Sequence, residues 1–161
     1  MTMAPSDLAL PPGVAPSGVV VFAAAVDVRP EDLSHLVPHA NNVQYLRWID
    51  RVTELHLDST GETRATMASE GRMWFVARHE IDYLAEVFVG ERLGIATWIA
   101  ESGRTTVQRA TAIWIATSGV IICKASSRMV HVNLVSRRPC RPPVVGKKSV
   151  ADPAVQPKDD P

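Results

Sequence analysis

The sequence predicts an α+β fold in which one long helix lies against an antiparallel sheet of about five strands. Three observations predict this fold. Residues 19–28 form an almost wholly apolar run, the following segment repeats its apolar residues with a helical period, and residues 73–132 alternate between apolar and polar. A helix and a sheet that each carry one apolar face bury those faces best against each other.

The chain has 161 residues, which is enough for one domain with a hydrophobic core. Residues 1–17 are rich in Pro, Ala, Ser and Gly and predict a flexible leader. Residues 136–161 are rich in proline, which lacks the backbone donor of regular structure, and predict a mostly disordered tail. We therefore expect the folded domain at residues 18–135.

Composition and charge make several classes of protein poor candidates. The 17 basic and 17 acidic residues cancel, so charge favours neither nucleic acid nor an anionic membrane as a partner. No apolar run approaches the ~18 residues of a membrane span, and no basic segment of a secretory signal precedes the first apolar residues. Cys123 and Cys140 form neither a disulfide framework nor a metal-ligand pattern. The expectation is a cytoplasmic protein without a metal or redox cofactor.

The first elements are a strand over residues 19–28, a loop over residues 29–38 and a helix with Asn41 as its N-cap. Asn is a preferred N-cap, and Gln44 three residues later resembles a capping box. Gln44 lies off the apolar stripe and is expected to be exposed. The stripe consists of Tyr45, Trp48, Ile49, Val52, Leu55 and His56.

The remaining strands are predicted at residues 73–83, 92–102, 105–117 and 120–132. Short segments that contain glycine separate them, at Gly90, Gly103 and Gly119. Long strands joined by such short turns are typical of an antiparallel meander.

The segment from Pro38 to Asp50 is the most informative about function. It places His39, Asn41 and Asn42 at the amino-terminal end of the predicted helix. This end of a helix presents unpaired backbone N–H groups and a partial positive charge. Such donors polarise a carbonyl group or hold an oxyanion.

The order of elements resembles the hotdog fold, and this segment resembles the 4-hydroxybenzoyl-CoA thioesterase-like family, to which plant acyl-ACP thioesterases are related. The family pattern is roughly Asp-x-x-Gly-His-Val-Asn-Asn-x-x-Tyr-x-x-Trp/Tyr. The residues that match it are His39, Asn41, Asn42, Tyr45 and Trp48. Shorter similarities follow in the same order at residues 80–83, 90–91 and 103–105, and the resemblance covers about residues 19–143.

The resemblance implies a sheet wrapped around the helix, and a homodimer or dimer of dimers with active sites at the subunit interface. It implies an acyl thioester of CoA or of acyl carrier protein as substrate, with the backbone N–H of Asn42 polarising the carbonyl. Asn41 and Tyr45 become candidate substrate-binding residues. The family's pantetheine arm and phosphates approach the region that corresponds to Arg104, Thr105, Thr106 and Arg109, and an ordinary charged turn is the alternative interpretation of these residues.

The chain departs from the family at the acidic residue four positions before the motif histidine, where it has His35. The nearest upstream acid is Asp32, in a loop that could bend towards the helix. His35 or Asp32 is therefore the candidate base, with His39 orienting the loop or the carbonyl. The alternative is that Asp32 is a solvated acid beside Glu31. Glu54 on the helix is a weaker substitute for the missing carboxylate.

Two other functions remain open on the same fold. Hotdog hydratases pair a histidine with an acid, and Asp32 with His39 or His35 could do so in an enoyl-thioester hydratase or dehydratase. Loss of the usual carboxylate could also leave a non-catalytic, dimeric protein that binds acyl thioesters.

Overall fold

The computed structural model describes residues 2–143, in which one long helix lies against a single antiparallel sheet. The elements are β1 (Met3–Pro5), β2 (Phe22–Asp27), a 3-10 turn (Pro30–Asp32), α1 (Asn42–Ser59), α2 (Arg64–Ser69), β3 (Arg72–Tyr83), β4 (Arg92–Ser102), β5 (Thr106–Ile115) and β6 (Ile121–Asn133). The sheet order is β1-β2-β4-β5-β6-β3. The predicted α+β class is confirmed, with six strands where about five were expected.

Helix α1 begins as the sequence predicts. The side chain of Asn41 accepts a hydrogen bond from the Val43 N–H at 2.9 Å, which satisfies one of the unpaired donors of the first turn. The apolar stripe of α1 packs on the sheet face formed by alternate residues of β2, β4, β5 and β6, and burying each large side chain contributes about 1.5–3 kcal/mol. The helix residues of this core are Tyr45, Trp48, Ile49 and Val52.

The prediction that Gln44 is exposed is wrong, because only 4% of its surface is accessible. Residues four apart lie on the same side of a helix, and Gln44 is four residues before the buried Trp48. The buried face of α1 therefore begins in the first turn of the helix, at Gln44.

The strands do not form one continuous meander. Strands β4, β5 and β6 are sequential neighbours, but β3 lies at the far edge beside β6. The connection from β3 to β4 therefore passes the two strands that lie between them in the sheet, β6 and β5. It passes the start of α1, where the Val87 carbonyl accepts a hydrogen bond from the Ala40 N–H at 2.9 Å.

The amino-terminal segment differs from the flexible leader that its composition predicts. Residues 3–5 pair antiparallel with β2, and Val14 is only 4% exposed. Val14 packs with Trp98 and Trp114 on the sheet face opposite α1, where Leu8 is also in contact. The few apolar residues of this segment thus cover a sheet face that would otherwise be exposed to solvent. The proline- and alanine-rich composition around them gave no indication of this packing.

The carboxyl-terminal tail is only partly described. Residues 136–143 contain one isolated bridge, in which Pro139 pairs with Val132. The predicted disorder of the remainder, residues 144–161, concerns residues outside the described range.

Candidate functional site

The amino-terminal end of α1 is held by three backbone hydrogen bonds. The Asn41 N–H donates to the Asp32 carbonyl at 2.9 Å, the Ala40 N–H donates to Val87, and the Gln44 N–H donates to the Asn41 carbonyl at 2.8 Å. Between these residues lies Asn42, which is exposed and whose N–H has no partner among residues 2–143. One unoccupied donor therefore stands at the positive end of the helix dipole.

The loop before the helix forms a small hairpin. Leu33 pairs with Ala40 in an isolated bridge, and the Ser34 N–H donates to the His39 carbonyl at 2.9 Å. This hairpin absorbs the additional residues between Asp32 and the motif histidine. As a result the backbone of Asp32 touches that of Asn41, although nine positions separate them in the sequence.

Asp32 is not a solvated acid, because it is only 3% exposed. Its Oδ2 accepts a hydrogen bond from the Arg29 N–H at 2.9 Å, which fixes the 3-10 turn. It also lines an open cavity of about 350 Å³ beside the first turns of α1. The other lining residues are Glu31, Gln44, Arg47, Asp50 and Arg51.

The two loop histidines lie on the hairpin. His35 is exposed, and His39 is partly buried with its Nδ1 3.1 Å from the Ala40 carbonyl oxygen. Because a carbonyl oxygen only accepts, Nδ1 carries a proton in this contact. Within residues 2–143, neither imidazole forms a hydrogen bond or ion pair with the Asp32 carboxylate.

Tyr45 lies in the core, at 3% exposure, with its ring edge-on to Tyr83 at a centroid distance of 5.1 Å. Burial, with nearby Cys123, Tyr83 and acidic groups, raises the pKa of Tyr45 to about 12. Its hydroxyl therefore stays neutral and can donate a hydrogen bond at physiological pH.

Arg104, Thr105 and Thr106 lie at or beside the turn between β4 and β5, far from the helix start within one chain. Thr106 is paired with Val130, whereas Tyr83, which touches Tyr45, is paired with Cys123 near the other end of β6. Seven residues of extended strand separate these two positions, about 23 Å. One chain alone does not bring the two predicted groups together.

Two features of the site were missed in the sequence. The β3–β4 connection contributes Val87 to the helix start, and Gln44 lines the cavity. The four-residue spacing from Gln44 to Trp48 could have predicted that Gln44 faces the site. The contribution of Val87 could not be predicted in this way, because it depends on which strands become neighbours.

Within the described range, no three His, Cys, Asp or Glu side chains lie together as metal ligands would. Among residues 2–143, no helix has the length and apolar character needed to span a bilayer.

A single sheet that packs one face on a long helix, with a capped helix start beside a crossing connection, defines the hotdog class of α+β proteins. Comparison with known families agrees, since the model of the thioesterase-like superfamily matches residues 28–156. The chain belongs to this superfamily, which confirms the resemblance seen in the sequence.

Solved structures share the fold at low sequence identity. A 1,4-dihydroxy-2-naphthoyl-CoA thioesterase from Synechocystis is 20% identical, with a TM-score of 0.72 over 77% of this chain and 90% of that chain. A Staphylococcus aureus protein in complex with CoA is 17% identical, with a TM-score of 0.73 over 78% of each chain. A probable thioesterase from Bartonella henselae is 20% identical, with a TM-score of 0.70 over 77% of this chain and 100% of that chain. No curated protein matches the chain.

Proposed function

We propose that this protein hydrolyses an acyl thioester of CoA or of acyl carrier protein. The observation that carries the proposal is the N–H of Asn42 at the start of α1, which is unpaired within the described residues. A donor fixed there needs no reorganisation when negative charge develops on a carbonyl oxygen, and one such donor is typically worth about 10²–10³-fold in rate.

In the proposed reaction the thioester oxygen accepts the Asn42 N–H while water attacks the carbonyl carbon. A base takes one proton from the water as the new C–O bond forms. The C–S bond then breaks, the departing sulfur receives the proton, and the products are a carboxylic acid and a free thiol.

Asp32 is our first choice of base and His35 the second. The backbone contact between Asp32 and Asn41 holds Asp32 beside the helix start, and no hydrogen bond within residues 2–143 uses its Oδ1. His35 is exposed on the hairpin, so its imidazole would need a partner or substrate to fix its orientation. His39 orients the hairpin through its contact with the Ala40 carbonyl.

CoA is the carrier with more support, since the Synechocystis thioesterase is named for a CoA thioester and the Staphylococcus protein was solved with CoA. Acyl carrier protein remains the alternative. Asn41 and Tyr45 would contact the acyl end of the substrate, and Arg104, Thr105 and Thr106 its carrier end.

The proposed assembly is a homodimer in the cytoplasm, with a dimer of dimers as the larger alternative. Strand β3 is an edge strand of 12 residues whose outer side meets no other strand of the described chain. Pairing two such edges would hide their unpaired backbone groups. It would also bring the β4–β5 turn of one subunit nearer to the helix start of its partner, which one chain alone leaves far apart.

The test is release of free thiol from a panel of aromatic and aliphatic acyl-CoA and acyl-carrier thioesters. Asp32→Asn should lower kcat by about 10²-fold or more if Asp32 is the base, and His35→Ala should then have little effect. The opposite pattern identifies His35. Folded protein that releases no thiol across the panel contradicts hydrolysis.

The same panel separates the alternatives. Loss of enoyl absorbance without thiol release would identify a hydratase. Tight binding of a non-hydrolysable CoA thioether without turnover would identify a binding protein.

A further inference from the structure

A second polar cluster lies under the carboxyl-terminal half of α1, inside the largely apolar helix–sheet layer. Arg109 of β5 is only 4% exposed and forms no ion pair within residues 2–143. Its Nη1 donates to His56 Nδ1 at 2.8 Å and to Thr97 Oγ1 at 3.2 Å. Both partners are neutral, because a guanidinium only donates and His56 Nδ1 must therefore be unprotonated.

The other edge of the guanidinium, formed by Nε and Nη2, makes no hydrogen bond within residues 2–143. The Nε atom is buried. The Nε–H and Nη2–H bonds point in parallel, and this is an edge that holds a carboxylate through two hydrogen bonds. A buried cation without an anion, and a buried donor without an acceptor, are both unfavourable.

The surroundings favour a planar monoanion with an apolar tail. The ring of Phe22 stacks on His56 at a centroid distance of 5.2 Å and packs against the main core. One carboxylate would neutralise the single charge of Arg109, whereas a phosphate dianion would leave excess negative charge in an apolar layer. His56, which contacts Arg109, is only partly buried, so entry is expected beside it.

We propose that the Nε–Nη2 edge of Arg109, which His56 and Thr97 hold in place through Nη1, binds the carboxylate of a small organic acid. This site is distinct from the one at the helix start, because fourteen residues of α1, about 21 Å, separate His56 from Asn42. The proposal does not rest on thioester hydrolysis. The carboxylate comes from a free acid or from the far end of a long acyl chain, and both present the same group to Arg109.

The first experiment uses the unmodified protein. Hexanoate and adipate are titrated while the ¹H–¹⁵N signal of the Arg109 Nε–H is followed, with chloride and phosphate as controls. We expect a saturable shift with the carboxylates and none with the controls. A CoA thioester with a terminal carboxylate that shifts the signal when the free acids do not would identify the acyl chain as the source.

The second experiment compares thermal unfolding of two variants. Arg109→Lys keeps a cation but loses the fork, and Arg128→Lys makes the same change at an exposed arginine on β6. Carboxylate at about 100 times its dissociation constant should raise Tm by about 5–10 °C in the unmodified protein and in Arg128→Lys, and not in Arg109→Lys. An unmoved Arg109 signal, an equal shift with chloride, or an equal rise of Tm in Arg109→Lys overturns the proposal.

Discussion

The two ends of helix α1 differ in the kind of polar group that they place at a candidate site. At its start the important group is the backbone N–H of the exposed residue Asn42, which has no hydrogen-bond partner among residues 2–143. Near its end the important groups are the side chains of His56 and Arg109, which form a hydrogen bond between the helix and the sheet. The first arrangement follows from helix geometry and survives most substitutions, whereas the second depends on two particular side chains and on the strand that positions one of them.

The largest effect should come from Asn42→Pro. Asn42 is the first helical residue, where proline is well tolerated, and Asn41 already has an extended backbone, with φ −70° and ψ 142°, that suits a following proline. The substitution removes the N–H and leaves the helix in place. We expect kcat for thioester hydrolysis to fall about 10²–10³-fold, with little change in Tm.

Asn42→Ala is the matched control, because it removes the side chain and keeps the N–H. It should retain most of the activity. Equal losses in the alanine and proline variants would show that the side chain, and not the backbone donor, is needed.

At the other end of the helix, His56→Leu should destabilise the fold. The change removes one of the two acceptors of the buried Arg109 guanidinium and leaves a further N–H without a partner. We expect a loss of about 1.5–3 kcal/mol in the free energy of unfolding, measured by urea denaturation. His35→Leu changes an exposed histidine and should alter stability by less than about 0.5 kcal/mol.

The same contact predicts how stability depends on pH. Burial, with a smaller effect of Arg109, lowers the pKa of His56 from 6.5 to about 4. Between these values the unfolded chain binds the proton more readily, so His56 stabilises the fold above pH 6.5 and this contribution is lost as pH falls to about 4. Because His56 is partly exposed to solvent, we expect the loss to be about 1–2 kcal/mol.

Urea denaturation across this pH range measures the effect. His56→Gln should flatten the dependence between pH 6.5 and 4. If the slope is unchanged in that variant, another group is responsible for it.

The smallest effect concerns the N-cap. Asn41→Ala removes the acceptor for the Val43 N–H and should lower the free energy of unfolding by about 1 kcal/mol, while Asn41→Asp keeps an acceptor and should be nearly neutral. Thermal unfolding of both variants measures this difference. A similar loss in Asn41→Asp would argue against the cap as its source.

Much of the helix start could be predicted from the sequence because it is local. The N-cap, the apolar stripe and the position of Asn42 all depend on residues within a few turns of each other. The same local reasoning missed the burial of Gln44, since the stripe was defined from the larger apolar side chains alone.

The features that could not be predicted depend on distant parts of the chain. Arg109 looks like any charged residue near a turn until β5 places it beneath α1. The position of β3 beside β6 rather than β4 likewise depends on packing of the whole sheet. That the loop could bring Asp32 towards the helix was expected from the sequence, but the Leu33–Ala40 bridge that does so was not, because no spacing rule anticipates it.

The amino-terminal segment over the outer sheet face has a consequence for the order of folding. Val14 finds its buried neighbours on β4 and β5, at Trp98 and Trp114, so it leaves the ribosome long before the surface on which it rests exists. During synthesis this segment can therefore dock only after β4 and β5 have emerged. Quenching or a spectral shift of the Trp98 and Trp114 fluorescence would then report the docking of the amino-terminal segment as a late step of folding.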